Sequence, residues 1–160
     1  MAYIRVKKIK DNKYAYLVDN INTSSGPRQK VKKYLGRVHE FDKVKEGNVS
    51  ESGNQGILHD LVISELVNLG FRKKGNNYIH NNFIFSLKEN SLKKSTGSKT
   101  HKEAVISLND GYLCSFTLQR IANFRKSKDF NKDAYTLAKY FLQSGLQVNE
   151  EDFVRFYQEL

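Results

Sequence analysis

The 160-residue chain contains one cysteine, one proline, one methionine and no tryptophan. A single cysteine excludes a disulfide framework and a four-cysteine zinc site, and it is the usage expected in a reducing compartment. No apolar run approaches the ~18 residues of a membrane span. The opening MAYIRVKKIK carries charges where a signal peptide needs an apolar stretch. A cytoplasmic protein with no membrane partner is therefore expected. Fifteen asparagines argue mildly against a hyperthermophilic source. What remains, 39% hydrophobic and 28% charged, is globular composition, and a chain of this length buries a core without a covalent or metal staple.

Motifs for catalysis are also missing. The four histidines (His39, His59, His80, His101) are dispersed, with no second ligand at metal spacing. There is no C-x-x-C, no H-E-x-x-H, no phosphate-binding P-loop and no dinucleotide fingerprint. His80 in Tyr-Ile-His-Asn-Asn is only superficially like an HNH nuclease string, because no second metal-pairing histidine accompanies it. Of the carboxylates that a metal-dependent nuclease would need, Asp110 is better explained by a turn, and Glu89 and Glu103 have no adjoining Glu-x-Lys. Cys114 alternates with Tyr112 and Phe116 in an apolar run, which reads as a buried small hydrophobe rather than a nucleophile. No catalytic residue, metal or cofactor is expected, and the chain does not read as an enzyme.

What is present is positive charge, in blocks. Lys and Arg number 27 against 17 Asp and Glu, a net of +10. Residues 1–45 carry +8, residues 46–71 carry −4, residues 72–102 carry +7, and residues 129–160 carry −3. Blocked charge of one sign, interleaved with aromatics, is a footprint for a polyanion, and nucleic acid is the commonest one in a cell.

The fold class expected is α+β, in two parts. Residues 1–41 read as a three-stranded antiparallel basic unit. The run Tyr3–Lys10 turns at Asp11-Asn12 into Lys13–Val18, which pairs Ile9 with Tyr14 and Lys7 with Tyr16. A polar loop, Asn20–Pro27, leads to Arg28–Leu35. There, alternation puts Arg28, Lys30, Lys32 and Tyr34 on one face and Val31 and Leu35 on the other. Gly36 ends that strand or supplies a bulge. Residues 42–55 read as a polar linker. Residues 56–160 read as an α+β domain with an antiparallel sheet and C-terminal helices. A helix from Ile57 to Leu69 stops at Gly70, and short aromatic strands follow around Phe71–Lys73, Tyr78–His80 and Phe83–Leu87. Residues 88–102 read as a mobile basic loop, and Asn109-Asp110-Gly111 as a hairpin turn between Ala104–Leu108 and Tyr112–Phe116. Three helices end the chain; the last is capped by Asn149 and buries Phe153, Phe156, Tyr157 and Leu160.

The candidate nucleic-acid-binding residues follow from these blocks. In the first part they are Arg5, Lys7, Lys8, Lys10, Arg28, Lys30, Lys32, Lys33, Tyr34 and Arg37, beside Tyr3, Tyr14 and Tyr16. In the second they are Arg72, Lys73, Lys74, Lys93, Lys94, Lys99 and Lys102. The cations neutralise phosphates and the tyrosines offer π-faces to unpaired bases. A weaker group, Arg120, Arg125, Lys126 and Lys128, is better read as the basic side of an amphipathic helix. RNA or a ribonucleoprotein, the ribosome included, is expected slightly ahead of DNA, since no recognition helix is evident. The competing class is a protein-interaction adaptor working through the acidic 46–71 segment or through Phe153, Phe156 and Tyr157.

One stretch has a family likeness. Tyr3-Ile4-Arg5-Val6-Lys7, Tyr14-Ala15-Tyr16-Leu17-Val18, Arg28-Gln29-Lys30-Val31 and Lys33-Tyr34-Leu35-Gly36-Arg37-Val38 together resemble the N-terminal segment of certain insertion-sequence transposases of the DDE type. The resemblance covers about residues 3–38 and implies a DNA-engaging β unit. The remaining residues carry no spaced Asp, Asp and Glu set and are too few for that nuclease domain, so the likeness implies DNA binding and not transposition.

Overall fold

A computed structural model of the protein describes residues 2–44 and 56–160, and within them the chain is α+β, with nine strands and four helices. Of the linker expected over 42–55, residues 45–55 lie outside the described residues. Asp42–Val44 are coil, and the Val44 amide donates to the Asn68 carbonyl at 2.8 Å.

The N-terminal unit is three antiparallel strands, β1 (Tyr3–Ile9), β2 (Asn12–Thr23) and β3 (Gly26–His39). Two readings change here. The first turn falls at Lys10-Asp11, with Lys10 at φ 55, so Lys7 pairs with Tyr14 and Arg5 with Tyr16. The expected loop from Asn20 to Pro27 is mostly ladder; only Ser24 and Ser25 turn, and Thr23 Oγ1 donates to the Gly26 carbonyl at 2.6 Å. The β-branched and aromatic content of both strands outweighs the polar residues of that segment.

Simple alternation along β3 also fails, because the β2–β3 ladder slips twice, between Ala15 and Tyr16 and between Leu17 and Val18. Each slip leaves one β3 residue without a partner, Leu35 and Lys32, and resets which face its neighbours occupy. Cross-strand partners share a face. Tyr34 and Arg37 therefore join Tyr16 and Tyr14 on one face, while Arg28, Lys30 and Lys33 join Ile21, Asp19 and Leu17 on the other. Val31 lies opposite Val18 on the tyrosine side, and Leu35 drops into a small core with Ala15, Val38, Val105 and Cys114. Gly36, expected to end the strand or supply a bulge, does not end it: β3 runs on to His39, the extra residue of the bulge is its neighbour Leu35, and Gly36 itself sits at φ 138, where a Cβ would stand 2.7 Å from the Glu103 carbonyl oxygen.

After α1 (Ile57–Asn68), four short strands form an antiparallel meander: β4 (Arg72–Lys74), β5 (Asn77–His80), β6 (Phe83–Ser86) and β7 (Ser91–Ser95). β8 (His101–Leu108) then pairs with β7 along one edge, and parallel with β3 along the other through Arg37↔Ala104, Val38↔Val105 and His39↔Ile106. The sheet order is β1-β2-β3-β8-β7-β6-β5-β4, with β9 (Gly111–Leu113) added to β8. The loop expected over 88–102 is thus a correction. Ser91–Ser95 and His101–Lys102 are strand, because buried Leu92 and, on the same face, Lys94 lie opposite Phe85 and Phe83 of the neighbour strand.

The expected strand Tyr112–Phe116 is cut at Leu113. The Thr117 hydroxyl accepts from the Cys114 amide at 3.1 Å and starts α2 (Ser115–Ala122) one residue later. Cys114 is buried, and burial pushes its thiol pKa up, which keeps it a thiol. α3 (Phe130–Ser144) is capped by Asp129, which accepts from the Lys132 amide, and ends at Gly145. α4 (Glu150–Glu159) is capped by Asn149, which accepts from the Asp152 amide at 2.8 Å. Phe156 is buried and Phe153 and Tyr157 pack against the same core, so the aromatic side of α4 is spent internally; Leu160, expected inside, is 37% exposed. That main core holds Phe71, Phe85, Leu66, Leu92, Ile106, Leu137 and Phe141, each at 2% exposure or less.

Candidate nucleic-acid interface

β3 and β8 pair only from Arg37↔Ala104 onward. Gly36, just before that pair, still lies against Glu103, and the ladder between the two strands begins only after it. At this junction lies a cleft of about 510 Å³ lined by Tyr14, Tyr34, Arg37 and His39 from β2 and β3, and by Lys94, Thr96, Lys102 and Glu103 from β7, β8 and the turn between them. Each cation reaches it through its register. Arg37 is opposite Tyr14, and Lys94 is opposite Lys102. Glu103 is opposite Lys93 on the reverse face, and its carboxylate accepts from the Ser115 hydroxyl at 2.6 Å.

The aromatic floor extends beyond the cleft. Tyr34 is 52% exposed, with its ring centroid 5.3 Å from Tyr16 and 6.4 Å from Tyr14. Partial burial and then the neighbouring Tyr16 and Tyr14 hydroxyls raise the Tyr34 pKa, so it stays neutral. Lys7 Nζ lies 5.4 Å from the Tyr16 centroid, and Arg5 is opposite Tyr16 on the edge strand. Lys94 Nζ lies 5.3 Å from the Phe83 centroid. Among the described residues, none of Arg5, Lys7, Arg37, Lys94 and Lys102 is in an ion pair with a carboxylate. Cations that hold no carboxylate leave their charge available to an outside anion.

His39 sits at the base of the cleft, half-buried, with its ring edge-on to Phe83 at 4.8 Å. Burial, and then Lys94 and Arg37, push its pKa down to about 4. It is neutral at pH 7, so it adds no charge of its own. The unfolded chain takes up this proton near pH 6.5 and the folded chain only near 4, so folding stability rises with pH between those values and is complete above 6.5. Urea denaturation at pH 5 and pH 7 should show the native protein losing stability at pH 5, and His39→Gln should reduce that difference.

The other expected contacts are not gathered here. Arg28, Lys30 and Lys33 are on the opposite face, where Lys33 Nζ is 5.7 Å from the Phe116 centroid. Lys8 is opposite Lys13, and Lys13 is held by Glu40 at 2.6 Å, an exposed pair that solvent screens. Lys10 is in the first turn and Lys32 is the unpartnered bulge residue. Lys93 meets Glu89 at 3.5 Å. Lys99 is in the β7–β8 turn. Arg72, Lys73 and Lys74 form β4 at the far edge of the sheet, three strand spacings from β7, roughly 14 Å. Arg120 is stacked on Tyr140 at 4.0 Å and on Phe116 at 5.2 Å, a packing role for that helix.

Two lining residues escaped the sequence reading. His39 looked like one of four scattered histidines, and Thr96 lay in a supposed loop; the only signal that bears on either is the pairing register. Among the described residues no group of three or more His, Cys, Asp or Glu side chains is placed to hold a metal ion, and no helix is long and apolar enough to cross a membrane. Comparison with protein-family models, with curated proteins and with solved structures returns no match, so the likeness of residues 3–38 to the transposase segment rests on those residues alone.

Proposed function

We propose that this protein binds nucleic acid without catalysis, holding the phosphate backbone along the tyrosine face of its sheet, with RNA or a ribonucleoprotein preferred over duplex DNA. One observation carries the reading: the two basic blocks of the sequence meet in a single cleft, where Arg37, Lys94 and Lys102 stand beside Tyr14 and Tyr34 with no carboxylate ion-paired to them among the described residues. Cations so placed release counterions when they neutralise phosphates, and exposed tyrosines favour unpaired bases over a closed duplex. The chemistry of this face is that of a binding surface. The transposase likeness supports the same surface with DNA as its partner.

The test is a salt titration by fluorescence anisotropy with labelled oligonucleotides. Log affinity should fall linearly with log salt, with a slope near −0.7 for each phosphate neutralised on a single strand. A chain of this charge that binds neither RNA nor DNA at low salt would exclude the proposal.

A further inference from the structure

The phosphate-binding reading says nothing about whether the bound strand is paired, and the cleft itself does. We infer that this cleft takes an unpaired nucleotide, its base against the Tyr14 and Tyr34 rings and its flanking phosphates between Arg37, Lys94 and Lys102. The inference rests on that reading and narrows it to a substrate class.

The argument is geometric. The cleft is a concave site rather than a raised basic surface, lined by residues of β2 and β3 on one side and by residues of β7, β8 and the turn between them on the other, where β3 and β8 begin to pair. About 510 Å³ is the scale of a small-ligand site. Its two walls differ in kind. The β2–β3 wall carries the rings, with Arg37 at their side, and Tyr34, half exposed, is braced by Tyr14 and Tyr16. The β7–β8 wall is cationic, with Lys94 and Lys102 side by side. A base with a free π-face and a phosphate on its sugar matches one wall each. A closed duplex offers phosphates but keeps its bases stacked inside, so it can use only the cationic wall. Neutral His39 at the base adds a ring without adding repulsion or charge. Arg5 and Lys7 continue the cations outward along β1, so the rest of a strand has a path across the sheet.

The experiment compares a labelled single-stranded RNA, a single-stranded DNA and a blunt DNA duplex of equal phosphate number, for the native protein and for Tyr34→Leu. Tyr34 is half exposed, so its loss leaves the core intact, and a circular dichroism melt checks this. Loss of one stacked base removes about 5- to 150-fold in affinity. The expected result is single strands bound at least tenfold tighter than duplex, with Tyr34→Leu weakening single-strand binding at least fivefold and leaving duplex binding unchanged. Equal affinity for single strand and duplex, with Tyr34→Leu silent on both, overturns the unpaired-nucleotide inference and leaves the phosphate-binding reading standing. No binding to any of the three by the native protein overturns both. The RNA and DNA arms show whether the 2′-hydroxyl is read.

Discussion

Arg37→Glu/Lys102→Glu should lower affinity for a single-stranded oligonucleotide by more than roughly 25-fold at about 0.1 M salt. The figure follows from counterion release. One phosphate contact on a single strand contributes about 0.7 to the slope of log affinity against log salt, which at 0.1 M is about fivefold. Two lost contacts multiply to about 25-fold, and reversing the charges adds repulsion to the loss. The salt slope should become shallower by about 1.4. Both side chains are exposed and in no ion pair among the described residues, so the fold should survive. Arg28→Glu/Lys30→Glu makes the same change in net charge on the opposite face. It should cost only the general attraction, within about threefold at that salt, where the Debye length of about 10 Å screens distant charges. An equal loss from both pairs would mean that net charge alone holds the ligand and that the cleft does nothing.

Gly145→Ala should be the most damaging single-methyl change to the fold. Gly145 closes α3 in the left-handed region at φ 78. A Cβ there would stand 2.0 Å from the Leu108 carbonyl oxygen, which is backbone and cannot swing aside. Gly111 opens β9 against the same point, where a Cβ would be 2.3 Å from the Gly145 amide nitrogen. The end of α3 is pressed directly onto the β8–β9 turn, and the Asn109 side chain donates to the Gly145 carbonyl at 2.7 Å to hold it. A left-handed non-glycine residue costs about 1–2 kcal/mol, and forcing extra volume into a packed contact costs about 1–3 kcal/mol more. Together they amount to several kcal/mol, a large share of the roughly 5–15 kcal/mol that stabilises an ordinary domain. Thermal unfolding should drop by roughly 10 °C, at about 2–4 °C per kcal/mol for a chain of this size. Gly26→Ala also replaces a left-handed glycine, but nothing lies within 4 Å of its Cβ, so it should cost only the backbone term. Similar melting temperatures for the two variants would show that the α3–β9 contact is loose.

Much of the architecture was legible because its signals are local. Alternating β-branched and aromatic residues specify β1 and β2, Asn149 and Gly145 bound their helices, and Asn109-Asp110-Gly111 turns the hairpin, each within a few residues. The fold class follows from such signals. The β7 segment shows where local signals fail. Ser91–Ser95 was too polar to read as strand, and becomes one because the buried aromatics of β6 and the edge of β8 lie on either side of it. Burial against neighbours, not propensity, decided that segment.

The chain's own composition determined that it carries two strongly basic blocks, tyrosines among them, and a glycine where β3 must bulge. The tertiary structure alone decided which of those cations meet. One slip, at Lys32, moves Tyr34 to the face away from Arg28 and Lys30, a second, at Leu35, keeps Arg37 on Tyr34's face, and one parallel pairing brings Lys94 and Lys102, more than fifty residues downstream, beside them. A side-chain period of two makes every bulge a change of face, and no local pattern records which distant strand will lie alongside.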